Sequence, residues 1–121
     1  AQVAAADEAA KEARRAARAA TLRTWNLVES ARRSFNLLDS STAAATENLR
    51  VQTVSFREGE GTLTAVLAAE AALGAARTQR IATAYEYDLA LAGLLTAAGR
   101  LDLFEDHMRR ADVRLKPEPA R

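Results

Sequence analysis

His107 is the one histidine among 121 residues, and Asp102, Glu105 and Asp106 surround it in the sequence. An imidazole beside a carboxylate moves protons near neutral pH, and the same groups ligate divalent metals. The spacing argues against both uses. On a helix Asp102 and Asp106 share a face, while His107 is turned by roughly 100° from Asp106. No second histidine and no cysteine is present to complete a ligand set. A solvated helix face accounts for the cluster, so no metal, cofactor or catalytic site is expected there. The lack of cysteine also removes thiol catalysis, thiolate metal sites and disulfides. Gly59-Glu60-Gly61 is equally unsuited to cradling phosphate, because it lacks a third glycine and a preceding strand and carries two repelling carboxylates. The chain is therefore expected not to be an enzyme.

Composition narrows what remains. The length suits one domain, and abundant alanine with only two prolines points to an all-α chain. The hydrophobic fraction of 49% is inflated by alanine, which buries little area, so thin helical layers or burial against other chains are expected. A formal net charge of +1 with both signs interspersed lacks the basic footprint of a nucleic-acid binder, and no nucleic-acid partner is expected. The longest apolar candidate, residues 89–98, is too short to cross a bilayer as a helix. No secretory signal is visible after Ala1, and the missing methionine suggests a fragment of a longer protein.

The helices that organise these residues are read from glycine and periodicity. Residues 4–20 alternate alanine with charge, which predicts a solvated helix with a weak alanine stripe, with a frayed N-terminal extension as the alternative. From there, positions 28, 31, 35, 38, 42, 45, 49, 52 and 56 step alternately by three and four, forming a heptad seam of mostly small or medium residues. Leu27, Ser34, Leu37 and Ser41 run beside it as a weaker second stripe, so this helix is expected to be sandwiched between neighbours. Gly59 and Gly61 then stop the helix, and Thr62 stands where an N-cap belongs.

The expected organisation is a long first helix over 1–58, a turn at 59–61, a returning helix over 62–98, a turn with a short helix over 99–112, and a disordered tail over 113–121. The first helix alone would measure roughly 80 Å at 1.5 Å per residue. In the returning helix Leu63, Val66, Leu67, Leu73, Ile81, Ala84, Tyr85, Leu91, Leu94 and Leu95 are the expected inward positions. Gly74 and Gly93 inside it suggest close helix–helix contact, with local bending as the alternative. Gly99 is expected to end that helix in the left-handed conformation, with Asp102 capping a short helix through Asp112. Lys116-Pro117-Glu118-Pro119 excludes helix. The packing residues expected from these patterns are Phe35, Leu38, Leu49, Tyr85, Tyr87, Leu91, Leu94 and Leu95.

Taken in order, Phe56-x-x-Gly59 with Thr62 and Val66-Leu67, then an alanine-rich helix, then Tyr85-x-Tyr87-x-x-Ala90-x-x-x-Leu94-Leu95-x-x-x-Gly99, resemble the C-terminal part of the outer-membrane efflux proteins, the TolC-like family. The likeness covers about residues 22–103, and its specificity lies in the combined spacing. It implies an α-barrel segment, one periplasmic helical hairpin of a homotrimeric channel for efflux or type I secretion. The family's β-barrel, which inserts in the outer membrane, and its first repeat are missing here, so the chain corresponds to roughly the last quarter of such a protein. The implied partners are a periplasmic adaptor and an inner-membrane transporter, with substrates conducted passively.

Carried over by position, the adaptor-docking tip would comprise Phe56, Arg57, Gly59, Gly61, Thr62, Val66 and Leu67. The chain departs from the family at Ala65, where an aspartate is frequent, and at Gly61 and Ala68, where some members carry charge. A ring of ionic contacts closing the entrance is therefore not implied, and Glu58 and Glu60 would supply only a looser acidic ring. The competing expectation is a soluble helical-hairpin module that binds another protein through its two stripes with no membrane role. A secretion-adaptor hairpin is a weaker third, because no lipoyl-like strands are visible.

Overall fold

The computed structural model describes residues 1–111. They form helix α1 (Gln2–Arg57), helix α2 (Leu63–Ala97), a 3₁₀ turn at Leu101–Leu103 and a short helix α3 (Phe104–Arg109). No strand occurs among them, and the fold is all-α, an antiparallel helical hairpin with a short C-terminal helix. The expected disorder of 113–121, with Asp112, lies outside the described residues.

The chain divides into two compact units, one of Ala31–Tyr87 and one of Ala1–Ser30 with Asp88–Arg121. In the first, α1 and α2 pack antiparallel about the turn at residues 58–62. On α1 the seam lies where its spacing puts it: positions 31, 35, 38, 42, 45, 49 and 52 are half-buried. Phe56 is the exception at 44% exposed. It sits in the last turn of α1, level with the point where the chain is already reversing.

On α2 the inward face keeps the expected Val66 and Leu73 but otherwise differs from the expected one. Val66, Ala69, Leu73, Ala76, Arg80, Thr83 and Tyr87 form it, stepping alternately by three and four, with Ala69, Leu73, Ala76 and Thr83 buried. Leu63, Leu67, Ile81 and Tyr85 instead face outward, Tyr85 at 70% exposed. Small residues alternate with larger ones along this line, Ala69, Ala76 and Thr83 standing between Val66, Leu73, Arg80 and Tyr87, a pattern that lets two helices interdigitate. Gly74 and Gly93 also correct the expectation of close contact within the chain, since a Cβ on either would meet nothing within 4 Å.

Polar seam residues are satisfied locally. Thr83 is 7% exposed, and its hydroxyl donates to the Gln79 carbonyl at 3.0 Å. Thr42 does the same to the Leu38 carbonyl at 2.8 Å. A threonine bonded to the preceding turn acts as a small, nearly apolar plug, and the buried polar groups cost little.

In the second unit, residues 1–19 of α1 are exposed throughout. Lys11 bridges Asp7 at 2.9 Å and Glu8 at 3.0 Å, and those two hydrogen bonds raise its pKa. Such solvated pairs lend the helix only slight support, because water screens them. The buried residues here are Val28, Leu91 and Leu95, with Leu94 half-buried. Burial also raises the Asp88 carboxyl above its ordinary range.

The end of α2 is closed by backbone alone. Gly99 has φ of +69°, its N–H donates to Thr96 O at 3.0 Å, and the Arg100 N–H donates to Leu95 O at 2.7 Å. This pair of bonds around a left-handed glycine is the Schellman stop. Beyond it Asp102 does not cap a helix as expected. Its carboxylate accepts from the Arg100 guanidinium at 3.3 Å, and a 3₁₀ turn occupies Leu101–Leu103 before α3. With Arg100 two residues away, charge pairing wins over capping. α3 itself ends at Arg109, short of the expected Asp112.

Candidate docking tip and flanks

The turn between α1 and α2 is built by the same backbone device. Gly59 has φ of +80°, its N–H donates to Phe56 O at 3.1 Å, and the Glu60 and Gly61 N–H groups both donate to Ser55 O at 3.0 Å. The two glycines serve different ends. At Gly59 a Cβ would meet nothing within 4 Å, so only the positive φ requires glycine. At Gly61 a Cβ would lie 3.0 Å from both the Phe56 nitrogen and the Ser55 Cβ, so close approach requires it. Thr62 then caps α2: the Ala65 N–H donates to its hydroxyl oxygen at 3.2 Å. Thr62→Ala is expected to cost about 1 kcal/mol, read as a lower denaturant midpoint at unchanged slope; no shift would mean the cap bond carries no stability.

Around this turn the structure brings together most of the residues assigned to the tip. Phe56, Arg57, Gly59, Thr62 and Leu67 are exposed, with Leu67 at 56%, while Gly61 and Val66 are half-buried supports. Glu58 and Glu60 are exposed at the same turn. Val51, Val54 and Leu63 add apolar surface that the spacing alone had not marked as tip.

Below the tip, the unit has two unlike flanks. One carries an open groove lined by Ser34, Leu37, Leu38, Gln79, Ala82, Thr83 and Glu86. Leu37 is 71% exposed there, and Ser34 and Ser41 of the same stripe are exposed as well. The other flank is crossed by an ion pair: Arg80 Nε donates to Asp39 Oδ1 at 2.6 Å, and the guanidinium lies 5.2 Å from the centre of the Phe35 ring. Helical rotation puts Asp39 and Ser34 on opposite sides of the Phe35–Leu38 seam. Leu67, Gly74 and Ile81 recur every seven residues of α2 on the ion-pair side.

Of the expected packing residues, Leu91 and Leu95 are buried, and Phe35, Leu38, Leu49, Tyr87 and Leu94 are half-buried. Tyr85 is exposed, because the inner line of α2 runs through Thr83 and Tyr87. Residues missed by sequence reasoning are Ala69, Ala76, Arg80 and Asp39. The alternating steps through Val66 and Leu73 could have revealed the alanines. Nothing local signals a pair 41 residues apart.

The His107 cluster brings no such juxtaposition. Asp106 accepts from Arg109 at 2.9 Å and Arg110 at 3.4 Å, while His107 is exposed. Among the described residues no group of three His, Cys, Asp or Glu side chains stands as a ligand set, and no helix is long and apolar enough to cross a membrane. Comparisons with protein-family models, curated proteins and solved structures gave no match to the chain.

Proposed function

We propose that this chain is the periplasmic hairpin of a trimeric, TolC-like outer-membrane channel for efflux or type I secretion, conducting substrate passively and performing no catalysis. The observation that carries the reading is a hairpin that leaves Leu37, Leu67 and Ile81 more than half exposed on two unlike flanks. Uncovered apolar side chains on both flanks suit a hairpin that stands between neighbours. Unlike flanks favour head-to-tail side packing, which closes into a ring when the rotation allows.

The tip supports the same reading. Gly59 tolerates volume but not a change of φ, and the exposed Phe56, Leu63 and Leu67 offer an apolar surface to the tip of a periplasmic adaptor, which would in turn engage an inner-membrane transporter. The position of Ala65 leaves Glu58 and Glu60 as the acidic groups facing the entrance.

In the complete protein that carries this hairpin, Gly59→Leu is expected to abolish export while the amount inserted in the outer membrane is unchanged. Full export with the substitution would refute docking at Gly59. Recovery of the complete protein entirely in the soluble fraction would refute the channel and leave a soluble hairpin module.

A further inference from the structure

Between Glu12 and Glu29, α1 carries Arg14, Arg15, Arg18 and Arg23 and no acidic residue. The formal charge of the whole chain is only +1, so this excess is local. All four arginines are exposed. Lys11 and Arg50 on the same helix sit against carboxylates, Asp7 with Glu8 and Glu47. Arg15 makes only a looser pair with Glu12 at 3.6 Å, and Arg14, Arg18 and Arg23 have no carboxylate in ion-pair range among the described residues. Arg14 and Arg15 stand four and three residues before Arg18, which sets like charges side by side and opposes the helix slightly. A partner of negative charge turns that repulsion into attraction. Two bulky apolar residues continue the same face. At 100° per residue, Arg14, Arg15, Arg18, Leu22 and Trp25 fall within an arc of roughly 100°, turned by roughly 100° from the inward line through Thr21, Thr24 and Val28. Leu22 is 61% exposed and Trp25 51%, so each keeps more than half of its surface outside the hairpin's own packing.

We propose that this face of α1, with Arg14, Arg15, Arg18, Leu22 and Trp25, binds the surface of a membrane rich in anionic phospholipid. Guanidinium groups pair with phosphate oxygens, and a cluster of them is drawn to a negative headgroup layer. Leu22 enters the boundary between headgroups and acyl chains. Trp25 settles at headgroup depth, its ring against apolar chains and its indole N–H on the polar side. The helix then lies in the plane of the surface, which needs no helix long and apolar enough to cross it. None of the described helices is. Nucleic acid would meet the same arginines, but the apolar pair on their face favours lipid. The proposal does not rest on the channel reading and holds equally for a hairpin module without a channel.

Trp25 is the chain's only tryptophan, so its emission reports the site directly. The full 121-residue chain is mixed at low salt with vesicles of phosphatidylcholine alone, or of equal parts phosphatidylcholine and phosphatidylglycerol. Co-sedimentation and a blue shift of the Trp25 emission are expected with the anionic vesicles only, and added salt should reverse both. Each arginine contributes about fivefold to partitioning, so Arg14→Gln, Arg15→Gln and Arg18→Gln together should weaken binding by about a hundredfold. Glutamine is a comparable helix former, and helicity by circular dichroism should be unchanged. Removing the same charge elsewhere, by Arg50→Gln, Arg77→Gln and Arg110→Gln, should leave binding close to that of the parent. No co-sedimentation with the anionic vesicles, equal binding to the neutral ones, or an unshifted Trp25 emission in the bound chain overturns the proposal. Equal weakening by the two triple variants overturns it as well. Tighter binding of a DNA duplex at the same salt would do so by assigning the face to nucleic acid. Export enters none of these outcomes, so the channel reading stands or falls separately.

Discussion

Leu73→Ala is expected to destabilise the hairpin by about 2–4 kcal/mol, the largest loss from any single truncation on α2. Leu73 is only 5% exposed and is the one large aliphatic among the buried residues of its unit, flanked along the inner line by Ala69 and Ala76. Removing it leaves only Ala69, Ala76 and Thr83 as buried residues of this unit. The loss should appear as a lower denaturant midpoint in chemical unfolding. Leu37→Ala, equal in atoms removed but 71% exposed, should change stability by less than about 0.5 kcal/mol. Equal effects from the two would show that α2 does not turn its Ala69–Leu73–Ala76 line inward.

The second large effect is on assembly and not on folding. Leu67→Glu combined with Ile81→Glu should leave the isolated chain's stability within about 0.5 kcal/mol of the parent, since both residues are more than half exposed. In the complete protein, if it is the channel proposed above, the same pair would place two charges where that proposal puts a neighbouring helix, and burying unpaired charge is strongly opposed. Trimer should be lost from detergent extracts and export should fail. A stable trimer carrying both glutamates would mean that this flank faces water in the assembly, and that Leu67 and Ile81 serve some other contact.

How far the fold was legible followed from contrast in side-chain size. The break at Gly59 and Gly61, the Thr62 cap, the Gly99 stop and the seam of α1 could each be read from local rules, because each rests on one residue type or on a run with Phe35, Leu38 and Leu49 as markers. On α2 the same rules misled. The eye follows Leu63, Leu67, Ile81 and Tyr85, but the packed line passes through Ala69, Ala76 and Thr83, where composition supplies no contrast against an alanine-rich background. Asp102 failed as a cap for a similar reason: capping propensity is a local preference, and Arg100 offered its carboxylate a charged partner two residues away. The Asp39–Arg80 pair was invisible because its halves are brought together only by the reversal of the chain. At the turn both glycines could be read as breakers, and the structure separated their duties into a φ requirement at Gly59 and a contact requirement at Gly61.

The turn at residues 58–62 closes with backbone groups: Ser55 O takes two N–H donors and Phe56 O a third. No side chain between Glu58 and Gly61 contributes to those bonds. Shape and surface chemistry are thereby uncoupled at the one place where the hairpin meets what lies beyond its end. Glu58 and Glu60 are open to replacement by residues of other charge or size at little expense to the fold, so a lineage of such chains could exchange one recognition surface for another while the scaffold beneath it stayed as it is.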